Sequence, residues 1–225
     1  MRALFVVAGL LFSLHFVAPA RAEVVNADGV SFDLQLPKDF CALSRTHPKE
    51  KEHYALQDRM QKEVNAVLLI AVPCSEVEGA RAGKPWKQWM IWLLNGKPGQ
   101  HTRLPAGMTR AEVVAELAKA MPALDLDKIG EQIDKAITKE GLELKIRNMS
   151  VFSKDNDALY TTQTLDVGAP SGKRQIAVVT GWVAVKDRIL TLNTYLDYKG
   201  IETIKALQER NKDTLMRTIS AIEKK

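Results

Sequence analysis

Histidine and cysteine are scarce in this chain, with four and two among 225 residues. That scarcity excludes several chemistries at once. Three histidines lie beyond the first 22 residues: His47, His53 and His101. None falls in the H-x-x-x-H or H-E-x-x-H spacing that puts two ligands on one helix face, so no metal ligand is assigned. Cys41 and Cys74 are far from a C-x-x-C redox pair. Gly79, Gly83 and Lys84 do not fit a phosphate-cradling loop. Gly168-Ala169-Pro170-Ser171-Gly172 has the wrong register for G-x-S-x-G and sits between expected strands, where a hairpin turn accounts for it. Asp155-Asn156-Asp157 lacks the glycine and distal glutamate of a calcium loop and reads as a turn. No catalytic residue, cofactor or metal follows from these patterns. A dense basic stripe is also missing: Lys and Arg number 32 against 27 Asp and Glu, a net charge of +5, so no nucleic-acid partner is expected.

Long apolar runs are absent too, except at the start. Arg2 precedes Ala3 to Val17, an apolar stretch broken by Ser13 and His15. Ala18-Pro19-Ala20-Arg21-Ala22 then supplies small residues at both recognition positions of a leader peptidase. The expectation is a cleaved signal peptide over 1–22, with the mature chain 23–225 as a single α+β domain. An uncleaved anchor is the rival, although the run is shorter than the roughly 18–20 residues that span a bilayer. No cysteine follows the cut, which excludes a lipid-modified N-terminus. The longest later run, Ala66 to Pro73, is strand-sized, so no transmembrane segment is expected in the mature chain. This places the protein in the periplasm, or outside, of a Gram-negative bacterium. An oxidising compartment and an even cysteine count favour a structural Cys41–Cys74 disulfide.

Val30 to Leu36 alternates strictly and reads as a half-buried strand, with Val24-Val25 as partner across an Asp28-Gly29 turn. Pro48 can open a helix with Leu56, Met60 and Val64 on one face. Ala66 to Val72 reads as a buried strand. A cysteine just past the end of each strand favours parallel pairing of the two through the helix. Trp86 to Leu94 is expected as a strand. Thr109 with Glu112 forms a capping box for a helix that stops at Met121-Pro122. A further helix is expected over about Asp125 to Glu140, with Leu126, Ile129, Ile133 and Ile137 on one face. From Leu142 the period changes to two. Four strands follow, about 142–152, 158–167, 174–186 and 189–198, with connections short enough for an antiparallel meander. A terminal helix after Gly200 buries Ile204, Leu207, Leu215, Ile219 and Ile222. The expected architecture is α+β: a mainly antiparallel sheet with a C-terminal four-strand meander, covered by helices and carrying one disulfide.

This order of motifs resembles a known group. Leu36-Pro37-Lys38-Asp39-Phe40-Cys41 closes an alternating strand before a helix and a second cysteine-ended strand. Asp155 to Tyr160 (D-x-x-A-L-Y), a hairpin, and Thr180 to Lys186 (T-G-W-V-A-V-K) precede a last strand and helix. The pattern resembles exported proteobacterial proteins and is similar in outline to the PsbP/Mog1-like α+β folds. The resemblance implies a fold and no functional residues.

The segment with functional colour is Trp86, Trp89 and Trp92. On a strand, Trp86 and Trp92 share a face with Met90, and Trp89 points the other way. Indoles give flat amphipathic area for ligands or partners, but a sheet covered on both faces buries aromatics as core. Both readings stand at this point. The leading function is an exported non-catalytic protein that binds another envelope or secreted protein. The alternative is a small-ligand module for a glycan or lipid, using Trp86 to Trp92 as its face. A hydrolase assembled from dispersed residues ranks last.

Overall fold

A computed structural model describes residues 21–121, 143–169 and 172–224. The apolar stretch 3–17, the helix expected over 125–140 and Ser171 lie outside the described residues. The chain begins with a hairpin of β1 (Arg21–Ala27) and β2 (Val30–Leu36). Asp28 and Gly29 turn it with positive φ of 52° and 74°, the twist a two-residue hairpin needs. Its open end pairs Arg21 with Leu36 and Ala22 with Gln35. A cut before Glu23 would remove those two pairs and keep the other five.

After Pro37 the chain makes a three-residue strand, β3 (Phe40–Ala42), then α1 (Glu50–Gln61) and β4 (Asn65–Pro73). β3 pairs antiparallel with β4, Cys41 opposite Val72. The expected parallel pairing is therefore corrected. The alternating strand β2 is not in the large sheet at all, and the antiparallel edge strand β3 brings Cys41 beside the end of β4. There Cys41 and Cys74 are bonded, with Cα atoms 4.8 Å apart. A 3₁₀ turn, Cys74–Glu76, leads into α2 (Val77–Arg81). β5 (Gln88–Lys97) follows, with β6 (Gln100–His101) folded back on it. α3 (Arg110–Ala120) carries both halves of the expected box: Thr109 accepts from the Glu112 N–H, and the Glu112 carboxylate accepts from the Thr109 N–H. The meander is β7 (Glu143–Lys154), β8 (Ala158–Ala169), β9 (Gly172–Val185) and β10 (Arg188–Asp197), closed by α4 (Ile201–Glu223). Asp155 Oδ1 accepts from the N–H groups of Asp157 and Ala158, which makes 155–157 the turn expected there.

The main sheet runs β3-β4-β5-β10-β9-β8-β7, antiparallel throughout. Strand alternation gives it two faces. One carries Met90, Trp92, Leu94, Tyr160, Val183 and Leu192, and packs against Phe32, Leu34 and Leu36 of the hairpin and Leu215 and Ile219 of α4. Gly181 sits under α4 at a point where a Cβ would lie 2.7 Å from Asn211 Oδ1, so glycine permits that approach. The stripe of α4 is more polar than expected: Asn211, Thr214 and Thr218 are buried with Leu207, Leu215 and Ile219. Asn211 Nδ2 donates to the carbonyls of Val179 and Leu192.

The second face carries Ile70, Ile91, Leu93, Leu165, Ile176 and Val178. α1 lies over β4 on this side. Its buried apolar residue is Tyr54, while Leu56 and Met60 are half-buried and Val64 is 50% exposed beyond the helix end. Tyr54 donates to the Leu43 carbonyl and accepts from the Ile70 N–H, which fixes the helix to the sheet. α3 covers the far end, with Val113 against Ala184 and Ile189. Between α1 and β7 the described residues leave part of the second face uncovered, and that part is the site described next.

Candidate functional site

A groove of about 520 Å³ opens on the second face. Its floor is Trp89 of β5, Tyr195 and Asn193 of β10, Ile176 of β9 and Leu165 of β8. α1 supplies one wall through His53, Leu56 and Met60. β7 supplies another through Leu144 and Ile146. Gly83-Lys84-Pro85-Trp86 forms the rim.

The register of the sheet explains why aromatics meet here. Trp89 is paired directly with Tyr195 across β5 and β10. Their rings stack, with centroids 4.6 Å apart and 6° between planes. Trp86 lies 6.0 Å from Trp89 and 4.3 Å from the His53 ring, both at a tilt. Trp86 precedes the strand, so alternation does not govern it. The expectation that it shares a face with Trp92 and Met90 is corrected: it joins Trp89 on the groove side. Trp92 is 0% exposed in the core of the opposite face. Of the three tryptophans, two belong to the groove and one is plain core.

The Trp86 turn is held from beneath. Arg174 of β9 donates to the Trp86 carbonyl at 2.5 Å and to Asp197 at 3.1 Å through Nε. Upstream, Glu50 is buried and takes the Arg81 Nε at 2.6 Å and the Ser44 N–H at 2.5 Å. Burial alone would raise the Glu50 carboxyl, but these donors overcome it and hold it below its ordinary range. The disulfide, the Glu50–Arg81 pair and Arg174 thus anchor the stretch from Cys74 to Trp86 at three points. A held rim keeps the groove open in the folded chain.

Two polar atoms in the groove walls have no counterpart. Trp86 Nε1 and Asn193 Oδ1 are buried without a hydrogen-bond partner among the described residues. One is a donor and the other an acceptor. Both atoms are shielded from solvent, as are the unmatched Trp92 Nε1 and Tyr160 hydroxyl of the opposite core, so the groove offers a ligand its apolar walls. Burial pushes the Tyr195 hydroxyl up to about 12, against a smaller opposing effect of a hydrogen bond with the Asn193 side chain, so it stays protonated at neutral pH.

The remaining singled-out residues do not join this site. His47 lies 3.9 Å from Glu50, and His101 lies on β6 with its Nδ1 unpartnered. Among the described residues no three of His, Cys, Asp and Glu gather to hold a metal ion. No helix among them is long and apolar enough to cross a membrane. Sequence reasoning missed Tyr195, Asn193, Ile176 and Leu165. Their alternation was visible, but which residue of β10 opposes Trp89 depends on a register that single strands do not specify.

No protein-family model matches the chain, and no curated protein matches it. Among solved structures it is similar to cyanobacterial PsbP (CyanoP) from Synechocystis sp. PCC 6803, at 10% identity and a TM-score of 0.42, covering 92% of this chain and 98% of that one. It is similar also to the Saccharomyces cerevisiae Ran-binding protein Mog1p, at 9% identity and a TM-score of 0.30, covering 92% and 95%.

Proposed function

We propose that the chain is an exported, non-catalytic binding protein whose groove takes a small apolar ligand. The observation that carries this reading is the groove itself, floored by the stacked Trp89 and Tyr195 and walled by Leu56, Met60, Leu144 and Ile146. A cleft of this volume falls within the roughly 300–1,000 Å³ of small-molecule sites, which are lined by apolar and aromatic groups with a few polar ones. This ranks the small-ligand reading above the protein partner that the sequence favoured. Export rests on the leader pattern over 1–22 and is supported by the disulfide. Titration with N-phenyl-1-naphthylamine, a neutral apolar fluorophore, tests the groove. The expected result is saturable uptake of one molecule per chain. The double variant Leu56→Gln/Met60→Gln, on the half-buried wall of α1, should bind at least about tenfold more weakly, since each side chain buries apolar area on ligand contact. Equal binding by a variant with an unchanged circular dichroism spectrum would refute the reading.

A further inference from the structure

Charge is unevenly placed around the groove. The described lining residues include Lys84, Arg174 and His53, and no aspartate or glutamate. Arg174 is committed to Asp197 and to the Trp86 carbonyl. His53 sits against the Trp86 ring, with Nε2 3.4 Å from the Ala80 carbonyl. Lys84 is different. It is exposed on the rim, follows Gly83 at a positive φ of 72°, and has no ion-pair partner among the described residues. The uncommitted cation therefore stands on the rim of the groove, at the end where Trp86 and His53 meet. Away from this end the lining turns aliphatic, through Leu144, Ile146, Leu165 and Ile176.

We infer that the groove binds a single-chain anionic amphiphile, with its anionic head at Lys84 and its aliphatic chain along the floor. An anionic head pairs with the Lys84 ammonium, and a charge-assisted hydrogen bond there is stronger than a neutral one. The aliphatic lining suits a chain, which gains free energy in proportion to the apolar area it buries. A sugar fits less well. Its hydroxyls would find no partners along the aliphatic lining of Leu144, Ile146, Leu165 and Ile176. A cationic amphiphile would meet Lys84 with like charge.

This inference rests on the groove being the binding site, and calorimetry with two amphiphiles of equal chain length separates the two claims. The purified protein should bind dodecanoate, kept below its aggregation concentration, at one molecule per chain. Dodecyltrimethylammonium should bind at least about tenfold more weakly. Lys84→Glu, on an exposed loop, should weaken dodecanoate binding about five- to tenfold, because it replaces one attraction with one repulsion of surface-pair size. The same change should erase most of the preference between the two molecules. Leu56→Gln/Met60→Gln should weaken both. If both amphiphiles bind equally and both are lost in the double variant, the groove stands and its anionic preference is wrong. If the double variant binds dodecanoate as the unchanged protein does, both claims fall. Binding to anionic lipid vesicles with no uptake of dodecanoate would also overturn the inference.

Discussion

Trp92→Ala and Trp89→Ala remove the same side chain from neighbouring places in one strand, and the structure assigns them different consequences. Trp92 is 0% exposed, paired with Leu192 on one side and Leu69 on the other, in the cluster that joins sheet, hairpin and α4. Truncation there leaves a cavity lined by rigid neighbours. The expected cost is about 3–5 kcal/mol, a large part of a typical total stability of about 5–15. Its indole N–H is buried without a partner. Trp92→Phe should therefore cost less than the lost area implies, because removing an unmet donor returns part of the loss. Trp89 is half-buried on the groove floor. Trp89→Ala forfeits the stack on Tyr195, worth about 0.5–1.5 kcal/mol beyond area, and a fraction of its burial, for a total of about 1–2. Urea unfolding monitored by far-ultraviolet circular dichroism measures both. With a slope of about 2 kcal/mol/M, the midpoint should fall about 1.5–2.5 M for Trp92→Ala and under about 1 M for Trp89→Ala. Naphthylamine uptake should fail in Trp89→Ala and survive in Trp92→Phe. Equal midpoint shifts for the two alanine variants, with ligand uptake unchanged in both, would refute the assignment of faces.

Three further outcomes are expected. The Cys41–Cys74 bond closes a sequence separation of 33, which in the chain-entropy model stabilises by about 4 kcal/mol; Cys41→Ser/Cys74→Ser should show that loss in urea and a weaker hold on naphthylamine, because the rim is tethered at Cys74. The Glu50 carboxyl is held below its ordinary range, so its stabilising effect is complete above the unfolded value, about 4.3, and is lost as pH falls through the folded one; the unchanged protein should lose stability more steeply below about pH 4.5 than Glu50→Gln, and parallel acid limbs would contradict the pairing with Arg81 and Ser44. When the full chain is expressed in a Gram-negative host, the intact mass of the recovered protein should begin at Glu23, and a mass retaining residues 1–22 would contradict the leader.

Much of the fold was legible because local signals carried it. The meander boundaries followed from period-two alternation broken by turn residues, and each observed strand lies within a few residues of its expected span. The capping box at Thr109 and the Asp28-Gly29 turn are chemistry of adjacent residues and were readable as such. The parallel pairing failed because Phe40-Cys41-Ala42 is too short to announce itself as a strand, and it is this segment that joins the large sheet. The candidate site was half legible. Indoles at 86 and 89 were visible, but Trp86 lies outside the strand whose alternation was applied to it. Tyr195, Asn193, Ile176 and Leu165 reach the groove through cross-strand register, which is a property of the assembled sheet.

The most direct test of the groove is photolabelling with a neutral alkyl diazirine, followed by peptide mapping. Carbene insertion reports where an apolar molecule rests, without relying on charge or on a chosen variant. The account predicts adducts on α1 around Leu56 and Met60 and on the Trp86–Trp89 stretch, with competition by excess naphthylamine. Adducts confined to the outer surface of α4, or labelling that excess naphthylamine does not reduce, would contradict it.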